Sequence, residues 1–173
     1  MLKEVVPTLT RVAAMQNPDH PAWQGYLDAM MSIAKGLGVE VVPTPIPGPA
    51  DLERALGAFA TAPNGGLVLL PSLIVTLNRE LIARAALRLR LPSIYLARAY
   101  TASGGLMSYG FVGTEPFRQA AAYVDRILKG ARPGELPVQA ASKFEMVINL
   151  KTATALGITV PATMLGRADE VIE

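Results

Sequence analysis

The strongest constraint on this chain is an alternation of short apolar runs with longer segments of helical period, repeated through residues 10–97. The runs Arg11–Gln16 (RVAAMQ), Val39–Thr44 (VEVVPT), Leu67–Leu70 (LVLL) and Ser93–Leu96 (SIYL) read as strands. Between them, Ala22–Leu37, Asp51–Ala60 and Ile74–Leu89 carry apolar side chains at helical spacing. A β-α-β-α-β-α-β order predicts an α/β fold, a doubly wound and mostly parallel sheet joined by right-handed crossovers. Pro43, Pro45, Pro47 and Pro49 put the second strand at an edge, because proline cannot donate to a ladder. The expected strand order is therefore 2-1-3-4. Ligands bind such sheets outside the carboxyl ends of the strands, where the order reverses. That point lies between strands one and three, at the loops Asn17–Asp19 and Pro71–Leu73.

The stretch Leu91–Gly110, LPSIYLARAYTASGGLMSYG, is a junction. A strand leads into a polar turn holding Arg98, Thr101 and Ser103. The pair Gly104-Gly105 follows, then a short strand, Leu106–Tyr109. Beyond Gly110 the rhythm changes. Thr114 with Pro116 opens a helix whose apolar face is Phe117, Ala120, Ala121, Val124 and Leu128. Val138–Asn149 reads as one extended segment, Leu150–Leu156 and Pro161–Leu165 as short helices, and the acidic tail is expected to fray. The expected division is an α/β lobe over residues 1–110 and a separate C-terminal segment over residues 111–173.

Composition narrows the function. Hydrophobic residues make up 51% of the chain and charged residues 17%, which fits a buried parallel sheet. With no cysteine, disulfides, thiolate catalysis and cysteine metal sites are excluded. Net charge is +2 without a basic stripe interleaved with aromatics, so no nucleic-acid partner is expected. No apolar run reaches the length of a membrane span. MLKEVVPTLT lacks the apolar region of a signal peptide, and the chain as written is expected in the cytoplasm. The single histidine, His20, sits at a proline-flanked helix start and reads as a surface or capping residue. No nucleophile elbow, zinc-protease motif, phosphate loop or dinucleotide fingerprint occurs, so neither an enzyme nor a cofactor is expected.

A binding role fits better. Asn17 and Asp19 sit in the first switch-point loop and Ser72 in the second. Asn17 reads equally well as a helix N-cap and as a ligand contact. Arg98, Tyr100 and Tyr109 lie with Tyr95 in the junction. Rings beside a guanidinium suit a ligand with an apolar body and a charged end. Tyr95 itself reads as core.

The blocks RVAAMQNPDHPA, GLVLLPS, LPSIYLARAYTASGGLMSYG, AAAYVDRILKGARPGELPVQ, KFEMVINLKTATALGITVPATML and RADEVIE follow one another in order. Together, over Leu2 to Glu173, they resemble the carboxyl-terminal part of ABC-transporter substrate-binding proteins of the tryptophan/tyrosine type. The resemblance implies a type I periplasmic-binding-protein fold, with two lobes joined by crossing strands and a small ligand between them. It implies an ABC permease as partner, no catalysis, and a periplasmic or membrane-anchored extracytoplasmic location. Ligands known in the family include aromatic amino acids. The family's Asn-Pro matches Asn17-Pro18, its junction arginine matches Arg98, and its G-G-L-M-S-Y-G matches Gly104–Gly110.

Two departures shape the expectations. Ser72 stands where the family usually has an acidic or amide residue, so ligand identity does not carry over through that loop. The family's first lobe is also missing, so the helix Thr114–Lys129 and part of Val138–Asn149 are expected to lack the cover they have in the family. An uncovered apolar face invites association, and a homodimer or domain-swapped oligomer is expected. The alternative reading is a stand-alone α/β sensory or protein-interaction module.

Overall fold

The computed structural model describes residues 1–140 and 142–173. Its first five strands are β1 (Arg11–Gln16), β2 (Glu40–Pro45), β3 (Gly65–Leu69), β4 (Ser93–Tyr95) and β5 (Met107–Phe111), all parallel. Then β6 (Phe144–Asn149) runs antiparallel to β5, and β7 (Glu170–Ile172) runs parallel to β6. The seven strands form one sheet in the order β2-β1-β3-β4-β5-β6-β7. The expected order 2-1-3-4 therefore stands, with the proline-bearing β2 at an edge and exposed at Pro43 and Pro45.

The helices are α1 (Leu2–Val5), α2 (Trp23–Ala34), α3 (Asp51–Ala60), α4 (Leu73–Leu77), α5 (Arg79–Arg88), α6 (Arg98–Ala102), α7 (Glu115–Leu128), α8 (Leu150–Leu156) and α9 (Ala162–Leu165). Strand alternation divides the core between the two faces of the sheet. On one face Ala13, Met15, Leu67, Leu69 and Tyr95 pack with Leu52, Leu56 and Phe59 of α3 and Ile82 of α5. On the other, Val12, Met107, Met146 and Ile148 pack with Leu2, Val5 and Met164. Burying one such aliphatic side chain contributes about 1.5–3 kcal/mol, so the double-sided cover holds the sheet as a rigid platform.

Several boundaries differ from the sequence reading. The second helix begins at Trp23, not directly after Asn17. Pro21 disfavours helical backbone at His20, which stays in the turn. Ile74–Leu89 divides at Asn78, whose Nδ2 donates to the Ile74 carbonyl at 2.8 Å and competes with the helix ladder. In the extended segment expected over Val138–Asn149, Ala141 lies outside the described residues and the strand is Phe144–Asn149. The tail does not fray. The Met146 N–H donates to Asp169 Oδ2 at 2.7 Å and the Asp169 N–H to the Met146 carbonyl at 2.9 Å, which seats β7 against β6. In this way residues 144–172 join the sheet of the lobe. Between β5 and β6 the chain makes an excursion carrying α7, none of whose residues is buried.

Candidate functional site

The candidate site is the carboxyl edge of the parallel strands. β1 ends in Gln16, which is fully buried, and its Nε2 donates to the Pro71 carbonyl beyond β3 at 2.8 Å. One side chain thereby ties the two switch-point loops together. Gln16 Oε1 is buried with no hydrogen-bond partner among the described residues. Next to it Asn17 closes an Asx turn, its Oδ1 accepting from the Asp19 N–H at 2.9 Å, while Asp19 is exposed. The N-cap of α2 is Ala22, so Asn17 does not cap that helix. His20 closes the next turn, its Nδ1 accepting from the Ala22 N–H at 3.1 Å. That contact closes a turn ahead of α2 and does not cap the helix, whose N-cap is Ala22.

Beyond β3, Ser72 is the N-cap of α4, with Oγ accepting from the Val75 N–H at 3.1 Å. The Thr76 hydroxyl, one turn on, lies 2.8 Å from the Tyr100 hydroxyl of α6. The Tyr100 ring stacks on Tyr95 at 5.3 Å between centroids. Tyr95 is core as expected, 1% exposed, and burial pushes its phenol up to about 12. Ser72, Thr76 and Tyr100 thus form a continuous wall from α4 to α6.

Two glycines of GGLMSYG let α6 lie on the sheet. A Cβ at Gly105 would stand 2.4 Å from the Tyr95 ring, and one at Gly110 would stand 1.7 Å from the Leu96 carbonyl oxygen. At the start of α6, Arg98 makes a bidentate ion pair, with Nε to Glu170 Oε2 at 2.6 Å and Nη2 to Oε1 at 2.6 Å. These hydrogen bonds hold the Glu170 carboxyl below the usual carboxylate range and raise the Arg98 guanidinium further.

Asn17, Asp19, Ser72, Arg98 and Tyr100 therefore all lie on loops or helix starts along one edge. Tyr109 does not join them. It alternates with the buried Ser108 onto the opposite face of β5, where its ring stacks on Phe144 at 5.7 Å. Sequence reasoning missed Gln16, Thr76 and Glu170. Gln16 carried a readable signal, a lone amide directly after the apolar run Val12–Met15. Glu170 carried none, being 72 residues from Arg98.

Elsewhere, a cavity of about 680 Å³ opens between α1 and α2. Its lining is mostly apolar, from Leu2, Leu9, Val12, Met30, Val41 and Ile94, and none of the six predicted residues reaches it. The edge has the features that orient a polar ligand, several convergent amide and hydroxyl groups, which that cavity lacks. Among the described residues no group of three or more His, Asp or Glu could hold a metal ion, and no helix is long and apolar enough to cross a membrane.

A family model described as ABC transporter substrate binding protein matches residues 1–172. Among solved structures, a conserved domain protein from Vibrio cholerae is 29% identical with a TM-score of 0.90, over 98% of this chain and 57% of that one. The ABC domain of a Streptococcus pneumoniae protein in complex with L-Trp is 21% identical with a TM-score of 0.90, over 99% of this chain and 58% of that one. A ligand-free, open substrate-binding protein with adhesive properties from Clostridium difficile is 17% identical with a TM-score of 0.71, over 99% and 57%. These neighbours give the architecture its class, a periplasmic-binding-protein lobe. The chain spans somewhat under three fifths of each relative. No curated protein matches it.

Proposed function

The chain belongs to the ABC transporter substrate-binding protein family, and from that membership we propose that it binds a small solute for import at the carboxyl edge of its sheet. The observation that carries this reading is the family match along residues 1–172. The switch-point geometry supports it: Asn17, Ser72 and Tyr100 line the edge where doubly wound sheets bind ligand. The family is a substrate-binding type, and the chemistry asked of these residues is recognition alone.

The solute we propose is an amino acid with an apolar body. The Streptococcus pneumoniae relative holds L-Trp. Along this edge the Tyr100 ring and the exposed Leu73 and Leu77 offer apolar contact. Arg98 gives Nε and Nη2 to Glu170, which leaves Nη1 as the donor that would meet a ligand carboxylate. The edge is one wall of a cleft. The second wall belongs to the part of the relatives that this chain does not span, and the stretch between β5 and β6 that carries α7 is the segment reaching toward it. An ABC permease as partner and an extracytoplasmic location complete the reading.

Saturation-transfer NMR with L-tryptophan, L-tyrosine, L-phenylalanine and L-alanine tests this. Transfer to the aromatic amino acids, lost in Asn17→Ala, is the expected result. Equal transfer to all four, or transfer unaffected by Asn17→Ala, overturns it.

A second reading, a protein-interaction module, has α7 in its favour. Phe117 is 78% exposed and Leu128 82% on the same helix. An apolar face of that kind fits a protein partner, here a second copy of the chain.

A further inference from the structure

The excursion from Val112 to Lys143 leaves the sheet on two strands. Its base is the β5–β6 pair, which gains one more rung where the Val112 N–H donates to the Lys143 carbonyl at 3.0 Å. Above that rung, the contacts found among the described residues are local. Glu115 accepts from Arg118 at 3.1 Å and lies 3.6 Å from Lys143, and Tyr123 donates to the Pro137 carbonyl. With no residue of α7 buried, packing does not set the direction of the helix.

The Arg98–Glu170 pair sits across this base. Arg98 follows β4 and Glu170 opens β7, so in the order β4-β5-β6-β7 the pair bridges over both strands of the excursion. Glu170 is the register partner of Val147, which is buried, so both face the side of the sheet on which α6 lies. Each end is anchored independently. Leu96 is pressed onto β5 at Gly110, and Asp169 is bonded twice to Met146. A bidentate guanidinium–carboxylate pair fixes orientation as well as distance.

We propose that Arg98 and Glu170 form a strap over β5 and β6, and that this strap sets the angle at which the 112–143 excursion leaves the sheet. Both are positioning residues. Glu145, on the same face of β6, adds a second negative charge that favours the guanidinium without pairing with it. The lowered Glu170 and raised Arg98 pKa values agree with a pair that stays formed at neutral pH. The strap does not depend on the ligand proposed above.

The chain has no cysteine, so two can be placed freely for spin labels, Ala122→Cys on α7 and Ala58→Cys on α3. Labelled protein diluted into unlabelled protein should give one narrow distance distribution. In Glu170→Gln and in Arg98→Met the distribution should widen and its maximum shift, and the exchanged pair R98E/E170R should restore it. A purely stabilising contact would lower the melting temperature without moving that distribution. Because the pair is half exposed, about 1 M salt should also widen the distribution of the labelled protein with Arg98 and Glu170 intact, a test that needs no substitution in the pair. Distributions unchanged by both single substitutions, or unchanged by salt, overturn the proposal, as does an exchanged pair that folds without restoring the angle.

Discussion

A methyl group added at Gly110 would stand 1.7 Å from the carbonyl oxygen of Leu96 and 2.7 Å from its carbonyl carbon. Both obstacles are backbone, so no rotamer change relieves the clash. The final glycine of GGLMSYG is therefore the point where the β4–α6 loop touches the sheet. Gly110→Ala should lower stability by about 3 kcal/mol in urea titration, the upper part of the overpacking range. Gly113→Ala, where the added carbon meets nothing within 4 Å, is the control and should be near neutral. Equal midpoints for the two variants contradict this contact.

Ser72 makes the opposite kind of contribution. Its hydroxyl satisfies the Val75 N–H at the start of α4. Ser72→Ala should cost about 1 kcal/mol, and Ser72→Asp should recover most of it, since aspartate caps as well as serine. Thermal unfolding of the three proteins decides the point, and a Ser72→Asp protein no better than Ser72→Ala contradicts the capping role.

The ion pair predicts a pH dependence. Arg98 holds the Glu170 carboxyl below the usual carboxylate range, so the folded state binds that proton less readily than the unfolded chain does. The stabilisation is present above the unfolded carboxylate pKa and is lost as pH falls toward the folded one. The difference in urea midpoint between the natural protein and Glu170→Gln should therefore shrink from about pH 7 to about pH 3. Glu4, lowered by the N-terminal amine and Arg167, titrates in the same window but is common to both proteins and cancels. A difference that is constant across that range contradicts the pairing.

The face of α7 predicts self-association. Phe117, Val124 and Leu128 are 78%, 55% and 82% exposed. Sedimentation should show a dimer or larger species, and Phe117→Ser with Leu128→Ser should return the monomer. A clean monomer of the natural protein at working concentration contradicts the prediction.

The strand order of the lobe was readable because its signals are local. Pro43 and Pro45 mark an edge on their own, and LVLL needs no partner to read as a buried strand. The C-terminal half was not readable in the same way. β7 has three residues, and its acidic start looks like a solvated tail until Asp169 meets Met146 and Glu170 meets Arg98. Those partners are 23 and 72 residues away. Tyr109 and Tyr100 are close in sequence, yet strand alternation sends Tyr109 to the face away from α6. Spacing left the N-cap reading of Asn17 open, because Asx turn and N-cap use the same carboxamide oxygen and only the backbone after Pro18 tells them apart.

In the proposed function, this chain recognises its solute at the carboxyl edge between β1, β3 and β4. The most direct measurement is the map of backbone amide shifts on titrating L-tryptophan into isotope-labelled protein. Shifts should concentrate at residues 16–19, 72–76 and 97–100, with the α1–α2 cavity unmoved. Shifts centred on that cavity, around Leu2, Val12 and Met30, or no shifts at millimolar L-tryptophan, would contradict it.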